Sequence, residues 1–128
     1  MKTRYTVILS MIAGAALGGA AVQGLHAQAK PKTYVVTEGE LLDAAAAAAF
    51  TPHALAALTA AGGRSLRTFG GRIVAIEGAA APNRVAINEW DSVEQAQAYH
   101  NSQAWKDLVP QFEKAIKIIR RYAVEATH

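Results

Sequence analysis

Between Tyr5 and Gln28 the chain carries no charged residue, and the apolar heart of that stretch runs from Val7 to Val22. Lys2 and Arg4 precede it, and Ala27-Gln28-Ala29 follows it, just before Lys30. A basic start, an apolar middle and a small-residue exit form the three-part secretory signature, which predicts a cleaved signal peptide over residues 1–29. The competing reading is an uncleaved anchor, because the stretch is long and Gly14 and Gly18 have the spacing of a helix-packing face. Gly14, Gly18, Gly19 and Gly24 lower helix propensity, and the Ala-Gln-Ala site favours cleavage. The segment limits the fold directly. Taking 29 of 128 residues away leaves 99, enough for one small core over residues 30–128 and not for two.

The charge balance changes with it. Lys2 and Arg4 leave with the signal, so 13 basic residues become 11 against 10 acids, and +3 becomes +1. A near-neutral exported domain is not expected to bind nucleic acid. No other stretch approaches the roughly 18 apolar residues of a membrane span, so no membrane association is expected after cleavage. The mature protein is expected to be periplasmic or secreted. A charged fraction of 18% argues against disorder, and the absence of Cys excludes disulfides, thiolate metal sites and a cysteine nucleophile.

The remaining chain alternates strands and helices. Tyr34-Val35-Val36-Thr37 predicts a first strand ending near Glu38. Leu41–Ala61 reads as helix, with Asp43 at its first turn and the Ala44–Ala49 run within it. Pro52 is expected to kink or split it, with Thr51 capping the second half, and Gly62-Gly63 to end it. Arg64–Phe69 and Arg72–Glu77, separated by Gly70-Gly71, predict a hairpin. Val85–Trp90 alternates strongly, with Val85, Ile87 and Glu89 on one face and Ala86, Asn88 and Trp90 on the other. Ser92 and Gln95 have capping-box spacing for a helix to Tyr99 or His100. Asn101-Ser102 restarts a helical stretch with Pro110 in its path, and Arg120–Glu125 predicts the last strand. The order predicts an α+β chain with the split strand-helix-strand arrangement of a ferredoxin-like antiparallel sheet, helices on one face. The bare face is expected to need a partner, so a homodimer is expected.

Tyr34-Val35-Val36, Asp43, Gly62-Gly63-Arg64, Ile76-Glu77-Gly78, Arg84-Val85, Ile87 through Ser92, Glu94-Gln95-Ala96, Asn101-Ser102, Trp105 and Val124-Glu125 occur in a telling order. Over residues 32–126 the chain resembles the domain of unknown function 1330 family, within the dimeric α/β-barrel superfamily. The resemblance implies a ferredoxin-like fold whose dimer closes two sheets into a barrel. It implies no activity, although related branches include cofactor-free monooxygenases, lactone isomerases and haem enzymes. The chain departs from the family pattern twice. The first helix opens on the Ala44–Ala49 run instead of the usual acidic, Pro or Asp and aromatic residues. An Arg expected six or seven residues after Trp105 is replaced by Gln111 and Phe112.

Glu38, Glu77, Glu89 and Glu125 stand at or near strand ends. The first and third main strands are expected to lie parallel and adjacent at the centre of the sheet, which brings Glu38 and Glu89 together at one end, and paired carboxylates raise one pKa enough for general acid–base work. The competing reading pairs each Glu with Arg or water. His53, after Pro52, is the candidate proton shuttle, whereas His100 reads as a helix-end cap. Trp90, Asn88, Tyr99 and Trp105 are the candidate ligand-binding residues, with Phe112 and Tyr122 as further aromatics, against a plain-core reading. No histidine pair has ligand spacing, so no metal is expected, and no cofactor is implied. Lys114, Lys117, Arg120 and Arg121 form the one basic cluster, read as a solvated face entering an edge strand. Three functions follow: a binder of a small apolar or aromatic molecule, a cofactor-independent monooxygenase or isomerase using Glu38, Glu89 or His53, or a structural or interaction protein with a filled barrel.

Overall fold

The computed structural model describes residues 30–127, so the predicted signal peptide lies outside the described residues. Strand β1 is Thr33–Leu41, helix α1 Ala44–Ala60, β2 Arg64–Ser65, β3 Arg84–Trp90, α2 Val93–His100, α3 Gln103–Ala115 and β4 Ile116–Glu125. The four strands form one sheet in the order β2-β3-β1-β4, and every neighbouring pair is antiparallel. This is the expected α+β, ferredoxin-like arrangement.

Side-chain caps set the helix starts. Asp43 Oδ1 accepts from the Ala46 N–H, Ser92 Oγ from Gln95 and Ser102 Oγ from Trp105. Gln95 Oε1 returns to the N–H of Asp91, one residue before the cap, so the box is shifted by one position. At the end of α1, Gly63 N–H bonds Leu58 O and Gly62 N–H bonds Thr59 O, with Gly62 at φ +95°. That is a Schellman closure, and a side chain at Gly62 would be strained.

Four expectations about elements are corrected. The first helix starts at Ala44 and not at Leu41, because Leu41 pairs with Ile116 as the last residue of β1 and Asp43 stands outside the helix as its cap. Helix α1 is not split at Pro52 but continues through it from Ala44 to Ala60. The missing N–H strands only the carbonyl of exposed Ala48, which water can serve. Thr51 Oγ1 donates back to Ala47 O and caps nothing. The predicted hairpin does not form. Arg67 has φ 56°, which turns the chain away after two residues of β2. Thr68 Oγ1 takes over, donating to Val85 O and accepting from the Ile87 N–H. Residues 72–77 then leave the sheet, with Ile76 94% exposed. Finally, β4 begins at Ile116 because the isoleucine-rich stretch Ile116-Lys117-Ile118 pairs with Leu41, Glu40 and Gly39 at the end of β1.

Helices cover one face of the sheet. Val35, Leu58, Trp90, Ala96 and Tyr99 form one buried cluster, and Ala47, Phe50, Phe112, Ala115 and Ile116 another. Trp105 packs against both. Gly63 is part of the first arrangement: a Cβ there would lie 2.9 Å from the Trp90 ring and 2.7 Å from Leu58.

Candidate functional site

Between the two clusters the sheet presents small side chains to the helices: Thr37 and Gly39 from β1 and Ala86 from β3. Farther along the same face Val35 and Trp90 fill the space. Above the small-residue floor, Phe50 meets Phe112 edge to face at 5.4 Å, and Trp105 stands 5.6 Å from Phe112. These rings hold the helices off the floor and leave a cavity of about 100 Å³. Leu58, Phe69 and Tyr99 add apolar wall, and Thr51, Ser65, Asn88 and His100 add polar edge.

Among the described residues two arginines line the same cavity, and none of the lining residues is an acid. Arg121 on β4 lies opposite Thr37 in the sheet and donates from Nε to Thr37 Oγ1 at 2.8 Å. Its guanidinium carbon lies 4.7 Å from the centre of the Trp105 ring and 5.4 Å from that of Phe112. Burial among these rings pulls its pKa down to about 10, slightly opposed by Tyr99, so it stays cationic at neutral pH. Arg84 on β3 lies opposite Gly39, over the Phe69 ring at 5.6 Å, and its buried Nε has no hydrogen-bond partner. The resemblance implied an Arg at position 111 or 112, where this chain has Gln111 and Phe112; the Arg121 guanidinium reaches the Phe112 ring from β4.

His100 Nδ1 is 2.9 Å from the carbonyl of Ala96, which can only accept. Nδ1 therefore carries the proton, and in the neutral ring Nε2 is free to accept. Burial lowers the His100 pKa, the Ala96 carbonyl partly opposes this, and the charge of Arg121 adds to the lowering. Burial also pushes the Tyr99 phenol up.

Of the residues predicted to bind a ligand, Asn88, Tyr99 and Trp105 stand on the cavity wall. Trp90 is fully buried in the core and does not line it. Tyr122 is on the opposite face of the sheet, beside Val36. The Glu38–Glu89 juxtaposition is corrected. β1 and β3 are antiparallel, with Glu38 opposite Val85 and Glu89 opposite Tyr34. Four residues of β1 separate these levels, about 13 Å at strand rise. The reason is topological. Each strand-helix-strand unit makes its two strands parallel, and the reversal between β2 and β3 then sets β3 against β1.

Each glutamate is held by an arginine on the open face of the sheet. Arg120 Nε and Nη2 donate to the two carboxylate oxygens of Glu38 at 2.6 and 2.8 Å. Arg64 donates twice to Glu89 Oε1, at 2.9 and 2.6 Å, and once to Asp91 at 3.1 Å. These bonds hold both glutamate pKa values below the usual carboxylate range. His53 is exposed on α1 and away from the cavity lining. Among the described residues no three His, Asp or Glu side chains gather as a metal site.

The family model described as Domain of unknown function (DUF1330) matches residues 32–126. RPA0582, a protein of unknown function from Rhodopseudomonas palustris solved as a structural genomics target, is similar in structure at a TM-score of 0.63. It is 15% identical, over 85% of this chain and 93% of that one. A structure of methylated RPA0582 is similar at 0.62 and 14% identity, over 85% and 91% of the two chains. At such identities the likeness shows the fold alone. Among curated proteins none matches this chain.

Proposed function

Starting from a chain that belongs to the family described as Domain of unknown function (DUF1330), we propose that it is an exported homodimer that binds a small apolar or aromatic molecule. The carrying observation is the cavity on the helix side of the sheet, walled by Phe50, Trp105 and Phe112 over the floor of Thr37, Gly39 and Ala86. Mostly apolar walls with a few convergent polar groups are what a small-molecule site requires. A cavity of about 100 Å³ is smaller than the engineered pocket of roughly 150 Å³ that admits benzene, so it suits a short branched chain or part of a single ring.

Titration with benzamide and benzyl alcohol, followed by tryptophan emission and by calorimetry, tests this reading. Saturable binding that disappears in Ala86→Leu, which fills the floor, is the expected result. Binding left intact by Ala86→Leu places the ligand elsewhere and defeats the reading. Export is tested separately, by N-terminal sequencing of protein recovered outside the cytoplasm. A start at Lys30 is expected, and an intact Met1 contradicts it.

A further inference from the structure

We propose that the natural ligand of this cavity is a small carboxylate with an apolar or aromatic body, its carboxylate taken by Arg121 and Arg84. The inference rests on the reading of the cavity as a ligand site and adds the charge and the headgroup. Elsewhere in the fold, arginines that face carboxylates are satisfied by them: Arg64 holds Glu89 and Asp91, and Arg120 holds Glu38. Arg121 and Arg84 are different. Among the described residues neither has a carboxylate partner, and both line a cavity whose described lining holds no acid.

Their donors are largely unspent. A guanidinium offers five N–H groups, and Arg121 commits only Nε, to Thr37. Arg84 Nε is buried without any partner. A buried donor left unmade costs stability, so the site gains when an acceptor arrives. The planar fork of Arg matches a carboxylate, and a bidentate bond fixes orientation as well as charge.

Register explains how both reach one ligand. Arg84 lies opposite Gly39 and Arg121 opposite Thr37, on either side of β1 and on its helix-covered face. Gly39 places no side chain between them, and a Cβ there would lie 2.6 Å from Ile116 Cγ2. The aromatic walls decide against a bare inorganic anion. Phe50, Phe69, Trp105 and Phe112 offer an oxyanion nothing beyond the two arginines and a few polar neighbours, but they suit an apolar body.

The test titrates purified protein with benzoate, benzamide and inorganic phosphate. Benzoate is expected to bind at least tenfold more tightly than benzamide, and phosphate not to bind. Arg121→Gln and Arg84→Gln are each expected to weaken benzoate at least tenfold while shifting benzamide less than twofold. Arg121→Lys, which keeps the charge and loses the fork, should fall between. If circular dichroism shows Arg121→Gln unfolded, Arg84→Gln decides alone. Benzamide binding as tightly as benzoate overturns the carboxylate assignment and leaves the cavity reading standing. Benzoate affinity unchanged in the folded Gln variants overturns the role of the arginines, and phosphate competing equally with benzoate overturns the apolar body. If no probe binds, both readings fall together.

Discussion

A guanidinium buried among aromatic rings with no carboxylate beside it costs the apo fold stability, and Arg121 shows the cost as a pKa drawn down to about 10 by burial. The faces of Trp105 and Phe112 and the bond to Thr37 offset part of it. Arg121→Met keeps the length and removes the charge. It is expected to stabilise the ligand-free protein by about 1 kcal/mol, a rise of roughly 4–8 °C in Tm for a domain of this size. A fall in Tm in calorimetry would mean that the ring contacts outweigh the burial. His100 titrates in a different window. Its folded pKa lies below 6.5, so the unfolded chain takes up the proton first as pH drops. Its contribution is complete above about pH 6.5 and is lost below that. Glu38 and Glu89 also have lowered pKa values, but their contributions are lost only as pH falls through the carboxylate range, below the usual 4.5. Urea unfolding between pH 7.5 and 5.5 should therefore show stability declining in the natural protein. The slope should be flatter in His100→Asn, whose amide retains a donor for Ala96.

Elements whose local chemistry agrees with their long-range pairing were readable in the sequence, and those decided by one side chain were not. The restarts at Ser92 and Ser102, the Gly62-Gly63 stop and the faces of β3 follow from residue type and period alone. The Gly70-Gly71 hairpin was a sound local signal. It lost to Arg67 in the left-handed region and to a Thr68 hydroxyl that stands in for the ladder. Thr68→Val removes that hydroxyl while keeping the shape. Two bonds at about 1 kcal/mol net each predict a loss of roughly 1–2 kcal/mol. Amide exchange at Leu66 and Ile87 should quicken more than tenfold, and unchanged protection would show that the loop is held by other contacts. The cavity was half readable, because Asn88, Tyr99 and Trp105 lay within reach of period and aromatic content. Arg121 was missed although its signal was present. Adjacent residues of a strand point to opposite faces, so Arg120 and Arg121 could not both be solvated edge charges. Arg120 meets Glu38 on the open face, and Arg121 therefore enters the cavity.

At the scale of the molecule, one face of the sheet lies under helices, and among the described residues no helix covers the other, which carries Tyr34, Val36, Val85, Ile87, Tyr122 and Val124. Tyr122 and Val124 are about half exposed, at 46% and 50%. Toward one end of this apolar band lies the Glu38–Arg120 pair and toward the other the Arg64–Glu89 pair. Each pair is neutral as a unit, so two copies of the face meet without like-charge repulsion and present the same rim to one another. A domain of this size buries a smaller fraction of its chain surface than a larger one does, and covering the band adds apolar burial. The proposed homodimer uses this face and leaves the cavity, on the other side of the sheet, open to ligand. Ile87 is the place to test it, since it lies opposite Val36 at the centre of the band. Ile87→Lys leaves the helix-covered core untouched, so circular dichroism should be preserved while light scattering at micromolar concentration shifts from twice the chain mass to once. A natural protein that scatters as a monomer contradicts the dimer outright. An Ile87→Lys variant that remains dimeric moves the interface to another surface, and benzoate binding, seated across the sheet, should survive the substitution within about twofold.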